Sequence, residues 1–374
     1  VPFCVRACPY CDFDFVVNRH PPVDAYVKGL AAEWRVRERA WAGDFATIYI
    51  GGGTPSALGA SGLAQLLAWI REVFPGSGAT EFTVELNPEH VSRDVVRSLQ
   101  DFGVGRVSVG VQSFNDRALV QLGRRHRHQQ AHDVLAMLVA DGFQVSTDLI
   151  VGWVGQKQSE VIADARAVLA SGVQHVSVYA LTIEETSHWP ALVARKQREM
   201  PDSDEQGERL RDVNEVFEAN GFVHYEIASY ARAGAIAQHN RFYWTCRDVL
   251  GLGPSAHSVR YDDRGAVRRT ANVRGYESWL AQPGIEASDE ELHGEAAVRE
   301  ALWVGLRYLL GVDVSTFLQQ FSGIDRAFLE RICRRQIEIG NLEWIDEGNT
   351  LRVAPERWYW HDRIGRDLLD VGSN

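Results

Sequence analysis

Cys4-Val5-Arg6-Ala7-Cys8-Pro9-Tyr10-Cys11-Asp12-Phe13 gathers three of the chain's five cysteines into eight residues. Thiols spaced four and three residues apart converge on one point only where the backbone wraps around it as a loop. Soft thiolates select zinc, copper or iron–sulfur clusters. Structural zinc takes a closed tetrahedral set, usually supplied as two separated pairs. Here no fourth cysteine is near, and the nearest histidine is His20. A cubane cluster held by three cysteines instead leaves one iron without a protein ligand, open to chelation by a small molecule. Two alternatives stand beside it, a zinc site and three unligated structural cysteines, although clustered low-pKa thiols rarely stay idle.

Outward from this loop, residues 24 to about 230 alternate short apolar runs with amphipathic stretches. The runs are Thr47–Ile50, Glu81–Leu86, Arg106–Val111, Val145–Val151, His175–Ala180 and Phe222–Ile227. Helical periodicity falls between them, at Leu58–Phe74, Val91–Phe102, Gln129–Asp141 and Val161–Ser171. Such alternation implies a parallel sheet with right-handed crossovers. Polar residues cluster near the ends of the runs, where α/β barrels and open doubly wound sheets both place their sites. The alternation alone does not choose between these two architectures.

Gly51-Gly52-Gly53-Thr54 follows the first run directly, and glycines there let the backbone approach a ligand closely. A tight turn between strand and helix is the plainer alternative. Glu85 lies inside an apolar strand, where an unpaired carboxylate is costly. A ribose diol offers it two donors, each contributing about 1.5–3 kcal/mol to a charged acceptor; an ion pair with an arginine would serve the same end. Asp148, in Thr147-Asp148-Leu149-Ile150, poses the same problem.

The CxxxCxxC loop resembles the cluster motif of the radical S-adenosylmethionine (SAM) superfamily. The resemblance implies a [4Fe-4S] cluster on Cys4, Cys8 and Cys11, with its open iron chelated by SAM. It further implies that Gly52, Gly53 and Thr54 hold the methionine end of SAM. Glu85, Gln112, Arg124 and Asp148 match family positions that contact SAM, and Tyr10 matches an aromatic near the adenine. The fold implied is α/β: a partial (β/α) TIM-like barrel of the radical SAM type with a C-terminal α+β winged-helix-like domain.

Ordered motifs narrow the resemblance. Ser108-Val-Gly-Val-Gln-Ser-Phe-Asn-Asp116, Leu122-Gly-Arg-Arg-His126, His224-Tyr-Glu-Ile227 and Gly251-Leu-Gly-Pro-Ser-Ala-His257 resemble the branch that holds oxygen-independent coproporphyrinogen III oxidase and a heme chaperone. Coverage runs from residue 1 to about 310. The oxidase carries a fourth cysteine where this chain has Phe13, which sides with the chaperone. So does His239-Asn-Arg-Phe-Tyr-Trp244, an HNxxYW motif. Histidine is a common axial ligand of heme iron, and Phe242, Tyr243 and Trp244 would cover a porphyrin face. The plainer alternative has His239 capping a turn while the aromatics pack the core.

The implied function is therefore heme binding and transfer to acceptor hemoproteins, with the iron–sulfur and SAM sites as a regulatory or assembly device. Alternatives are oxidative decarboxylation of two coproporphyrinogen propionates and an inactive structural relative. The sequence names neither the heme acceptor nor an electron donor. Gly152-Trp153-Val154-Gly155 replaces the branch's usual Gly-Leu-Pro-Gly, which puts the shape of that loop in question. Relatives also carry a full strand ahead of the cluster loop, where this chain opens at Val1-Pro2-Phe3; a truncated or misassigned start is expected.

The 374 residues suggest two or three domains. The divisions expected are a barrel at 1–230, an irregular connection with the HNxxYW motif at 231–290 and a C-terminal domain at 291–374. In that last part, helical stretches at Ala297–Leu310 and Arg326–Gly340 precede short strands at Leu342–Ile345 and Leu351–Val353. With 39 basic and 50 acidic residues the net charge is −11, which argues against binding a phosphate backbone. The near-absence of lysine beside many arginines reads as codon bias more readily than as anion recognition. No apolar run approaches a membrane span and no signal segment opens the chain, so a cytoplasmic location is expected.

Overall fold

The computed structural model describes all residues except 76–80, 183–186, 188, 195–201, 263, 322 and 371–374. Seven strands form the main sheet: β1 (Thr47–Ile50), β2 (Glu81–Leu86), β3 (Arg106–Gln112), β4 (Gln144–Val151), β5 (His175–Ala180), β6 (Val223–Glu226) and β7 (Ser229–Ala231). Their spatial order is β1-β2-β3-β4-β5-β7-β6. β1 to β5 are parallel, and β7 pairs antiparallel with both β5 and β6. The sheet is an open partial barrel, as expected.

Helices α1 (Val23–Arg37), α2 (Gly59–Val73), α3 (Arg93–Asp101), α4 (His128–Ala140), α5 (Gln158–Ala170) and α6 (Ser203–Glu218) accompany these strands. Most of the crossovers keep the boundaries that periodicity suggests. In α2, Leu63, Leu66, Leu67 and Ile70 repeat at helical spacing and are buried, so one stripe faces the sheet. Strand β3 is buried from Arg106 to Val111, as central parallel strands covered on both faces are.

A second core joins Cys246 and Val267 to helices Gly294–Gly305, Arg326–Glu338 and His361–Leu369. A small antiparallel sheet, ordered Val312–Asp313, Thr350–Val353, Leu342–Ile345, completes it. This is the helical and hairpin pattern expected of the C-terminal part.

The stretch 231–290, expected to be irregular, holds an antiparallel sheet of His257–Tyr261, Val267–Asn272 and Glu286–Leu292. No alternating apolar pattern marks its third strand, Glu-Ala-Ser-Asp-Glu-Glu-Leu, which is largely exposed. Its register is lined instead by charge: Arg268 reaches Asp289 at 2.7 Å and Arg269 reaches Glu290 at 2.6 Å, cross-strand pairs that replace hydrophobic ones. The loop after β4 is well packed. Trp153 is fully buried beside Leu122, Leu181 and Trp189, and the Gly152 amide donates to Gln156 Oε1 at 2.6 Å.

Candidate functional site

The cysteine segment is a loop clasped at its base. Phe3–Cys4 pairs in parallel with Val16–Val17, and the Cys11 amide closes a turn onto the Cys8 carbonyl. Ahead of the loop, Val1 and Phe3 run along the glycine segment that follows β1, where the Gly53 amide donates to the Val1 carbonyl at 2.7 Å. The glycines therefore have a packing reason first. A Cβ on Gly53 would stand 2.8 Å from the Phe3 carbonyl oxygen, and Gly52 has φ +110°.

Cys4, Cys8 and Cys11 all face one cavity of about 870 Å³ at the C-terminal edge of β1–β5. They do not converge on a single point: among the described residues no three His, Cys, Asp or Glu are close enough to hold one metal ion. A cubane takes one thiolate per iron and needs its donors spread around it, so the residues suit a cluster better than a lone zinc ion. Cys4 Sγ lies 3.3 Å from the Thr54 hydroxyl, and Arg124 Nη1 lies 3.9 Å from Cys8 Sγ. Burial pushes the Cys11 thiol up to about 11; a bound cation would reverse that.

Every SAM residue named from the sequence lines this same cavity: Tyr10, Gly52, Gly53, Thr54, Glu85, Gln112, Arg124 and Asp148. Glu85 accepts from the Tyr49 hydroxyl at 2.6 Å and from the Gly52 amide at 3.2 Å, so its partners are neutral donors and not an arginine. Burial raises its pKa. Asp148 has no hydrogen-bond partner among the described residues, and burial, then the Glu85 charge, lift it to about 7. Gln112 ends β3 at φ +69° beside a register shift against β4. Strain of this kind collects where a side chain must be aimed. Arg124 is held by Asn87 Oδ1 at 2.6 Å and the Gly110 carbonyl at 2.7 Å.

Sequence reasoning passed over three contributors. Asn87 donates to Thr54 Oγ1 and accepts from Arg124, joining the glycine segment to the arginine; its signal was its place just past the end of β2. Tyr49 read only as an apolar strand residue. Glu226 sits in a quoted motif without a role, yet its carboxylate lines the cavity and accepts from Asn240 at 3.0 Å and from the Trp244 indole.

His239 is the one named residue that the structure keeps apart. It lies on α7 (Gln238–Trp244), packed under the N-terminal ends of β1 and β2. Glu81, at the start of β2, accepts from the Gln238 and His239 amides at 3.0 Å each, and Arg106 pairs with it at 2.9 Å. His239 Nδ1 lies 2.8 Å from the Thr47 hydroxyl and Nε2 lies 2.8 Å from the Tyr243 hydroxyl. The ring stacks on Tyr49 at 5.0 Å. It lines a second cavity, of about 1270 Å³, with Trp41, Phe45, Phe242 and Trp244. Burial lowers its pKa to about 4, so it is a neutral imidazole at ordinary pH.

Residues 1–168 match the Radical SAM superfamily model. The chain is 32% identical over 327 residues to the heme chaperone HemW of Lactococcus lactis subsp. lactis (strain IL1403), covering 86% of this chain and 84% of that one. It is 33% identical over 301 residues to the heme chaperone HemW of Escherichia coli (strain K12), covering 78% of each. Among solved structures, coproporphyrinogen III oxidase (HemN) from Escherichia coli superposes with a TM-score of 0.81 over 98% of this chain and 88% of that one, at 21% identity, a likeness of fold. Cysteine loop, partial barrel and relatives agree: the chain belongs to the HemW family of the radical SAM superfamily.

Proposed function

We propose that this protein is a heme chaperone: it binds heme and passes it to acceptor hemoproteins, on a scaffold that also holds a [4Fe-4S] cluster and SAM. The observation that carries this conclusion is the separation of two cavities. Cys4, Cys8 and Cys11 share one with the SAM residues, while His239 and an aromatic wall line another at the opposite edge of the sheet. A cargo bound in the second cavity would leave the first to the cofactors, the two meeting, among the described residues, only at Trp244. Similarity over most of the chain to proteins named heme chaperones supports the same assignment, as does Phe13 at the position of the oxidase's fourth cysteine.

Cys4, Cys8 and Cys11 would hold the cluster, which when bound supplies an electron and an open iron. Thr54 places a hydroxyl 3.3 Å from the Cys4 sulfur and Arg124 a guanidinium 3.9 Å from the Cys8 sulfur, a donor and a positive charge beside two of the thiols. Glu85 and Asp148 present carboxylate oxygens to the cavity, where the donors of a ribose or an amino group would satisfy them. No helix among the described residues is long and apolar enough to cross a membrane, which accords with delivery in the cytoplasm.

Anaerobic reconstitution with iron and sulfide, followed by heme titration, tests the proposal. Stable heme binding that His239→Ala weakens, with no product from coproporphyrinogen III, is the expected result. Formation of protoporphyrinogen IX would overturn it in favour of the oxidase.

A further inference from the structure

We propose that Thr47 and Tyr243 control His239 as a heme ligand, Thr47 by fixing the imidazole and Tyr243 by occupying the nitrogen that must be freed. The inference rests on heme binding at His239 and adds two positioning residues to it.

Both ring nitrogens of His239 are engaged, and their two partners are placed differently. Thr47 opens β1, a strand tied to β2 through four residue pairs, so its hydroxyl is fixed to the sheet. Tyr243 lies one turn along α7 from His239 and is 37% exposed. A neutral imidazole carries one N–H and one lone pair; both partners here are hydroxyls that donate or accept, so either tautomer fits the geometry and the one inferred leaves Nε2 available to iron. With Nδ1–H donating to the fixed Thr47 oxygen, the lone pair sits on Nε2. That is the arrangement an iron-ligating histidine needs, oriented by a second group behind it. The Tyr243 hydroxyl then donates to Nε2 and holds the ligating atom closed. Binding breaks this one hydrogen bond; no covalent bond changes, and the freed phenol turns to solvent.

The rest of the surroundings hold His239 still. Glu81 fixes its amide, and the Tyr49 ring covers one face at 5.0 Å. Of the groups around the imidazole, Tyr243 is the most exposed, and its departure gives up an edge contact with the His239 ring at 5.0 Å and one with Trp244 at 6.0 Å.

Heme titration of the full chain, followed by the Soret band, separates the parts. Tyr243→Phe should bind heme roughly two- to twelvefold tighter with an unchanged Soret maximum, the worth of one ordinary hydrogen bond. Thr47→Val should bind more weakly and shift the Soret maximum, and Thr47→Ser should restore both. His239→Ala should lose the histidine-ligated spectrum. If Tyr243→Phe and Thr47→Val both match the native affinity and spectrum while His239→Ala does not, the positioning roles are refuted and heme binding at His239 stands. If His239→Ala also matches the native chain, or the native chain binds no heme, the inference falls together with that site.

Discussion

Asp148 gives the sharpest prediction. Its carboxyl lies in the cysteine cavity without a hydrogen-bond partner among the described residues, and burial and the nearby Glu85 raise its pKa from 3.8 to about 7. An acid whose folded pKa exceeds its unfolded one binds its proton more tightly when folded. The unreacted chain therefore loses stability as pH rises from about 4 to 7, and the loss is complete above 7. A shift of roughly 3 units corresponds to about 4 kcal/mol, a ceiling because the side chain is only half-buried and water screens part of it. Asp148→Asn removes the titration. Guanidinium unfolding of the reduced, cofactor-free chain should show the variant and the native protein drawing apart by roughly 2–3 kcal/mol between pH 5 and 7. The gap should then stay constant to pH 8. Adding cluster and SAM should narrow it, because a donor on the carboxylate favours its charged form. Parallel pH curves for the two proteins would refute the assignment of Asp148 as a carboxylate held for a ligand.

Arg106→Met should cost about 3–5 kcal/mol, because Glu81 would keep its charge in a buried place without its ion partner; thermal or denaturant unfolding measures this. Gly53→Ala drives a Cβ to 2.8 Å from the Phe3 carbonyl and should displace the strand leading into Cys4. Bound iron per chain after reconstitution should fall and stability should drop by about 1–3 kcal/mol. Gln112→Gly relieves a left-handed backbone and should raise stability by up to about 1 kcal/mol while weakening SAM binding in equilibrium dialysis. A stability loss above about 2 kcal/mol would show that the Gln112 side chain serves packing and not the ligand.

The strands of the partial barrel were legible because β1 to β5 are apolar runs between periodic helices, a pattern set by burial. That Glu85, Gln112 and Asp148 share the cysteine cavity was legible for a related reason: they break apolar strands, and a polar residue in such a place needs a partner. Two things were not. The sheet from His257 to Leu292 carries its pairing in charge, with Arg269 facing Glu290 and Arg268 reaching diagonally to Asp289, and charged alternation looks like a solvated loop. The placement of His239 was hidden because it depends on Glu81 and Arg106, residues at strand starts that lie 158 positions and more than a hundred positions away in sequence. Local spacing marks an HNxxYW motif as unusual but cannot show which edge of the sheet it meets.

That placement makes α7 a rigid piece between the two cavities. At its start Glu81 binds two amides and the buried Arg106. From its first turn the Asn240 amide, and from its end the Trp244 indole, both donate to Glu226 in the cysteine cavity. Rotating the helix to admit heme would strain the Glu81–Arg106 pair at one end and strip donors from a buried carboxylate at the other, at several kcal/mol for the first alone. A turn of the Tyr243 side chain costs about one hydrogen bond and its ring contacts with His239 and Trp244. The lower-cost motion is the side chain, so the backbone of α7 should stay fixed on heme binding while the hydroxyl over His239 moves.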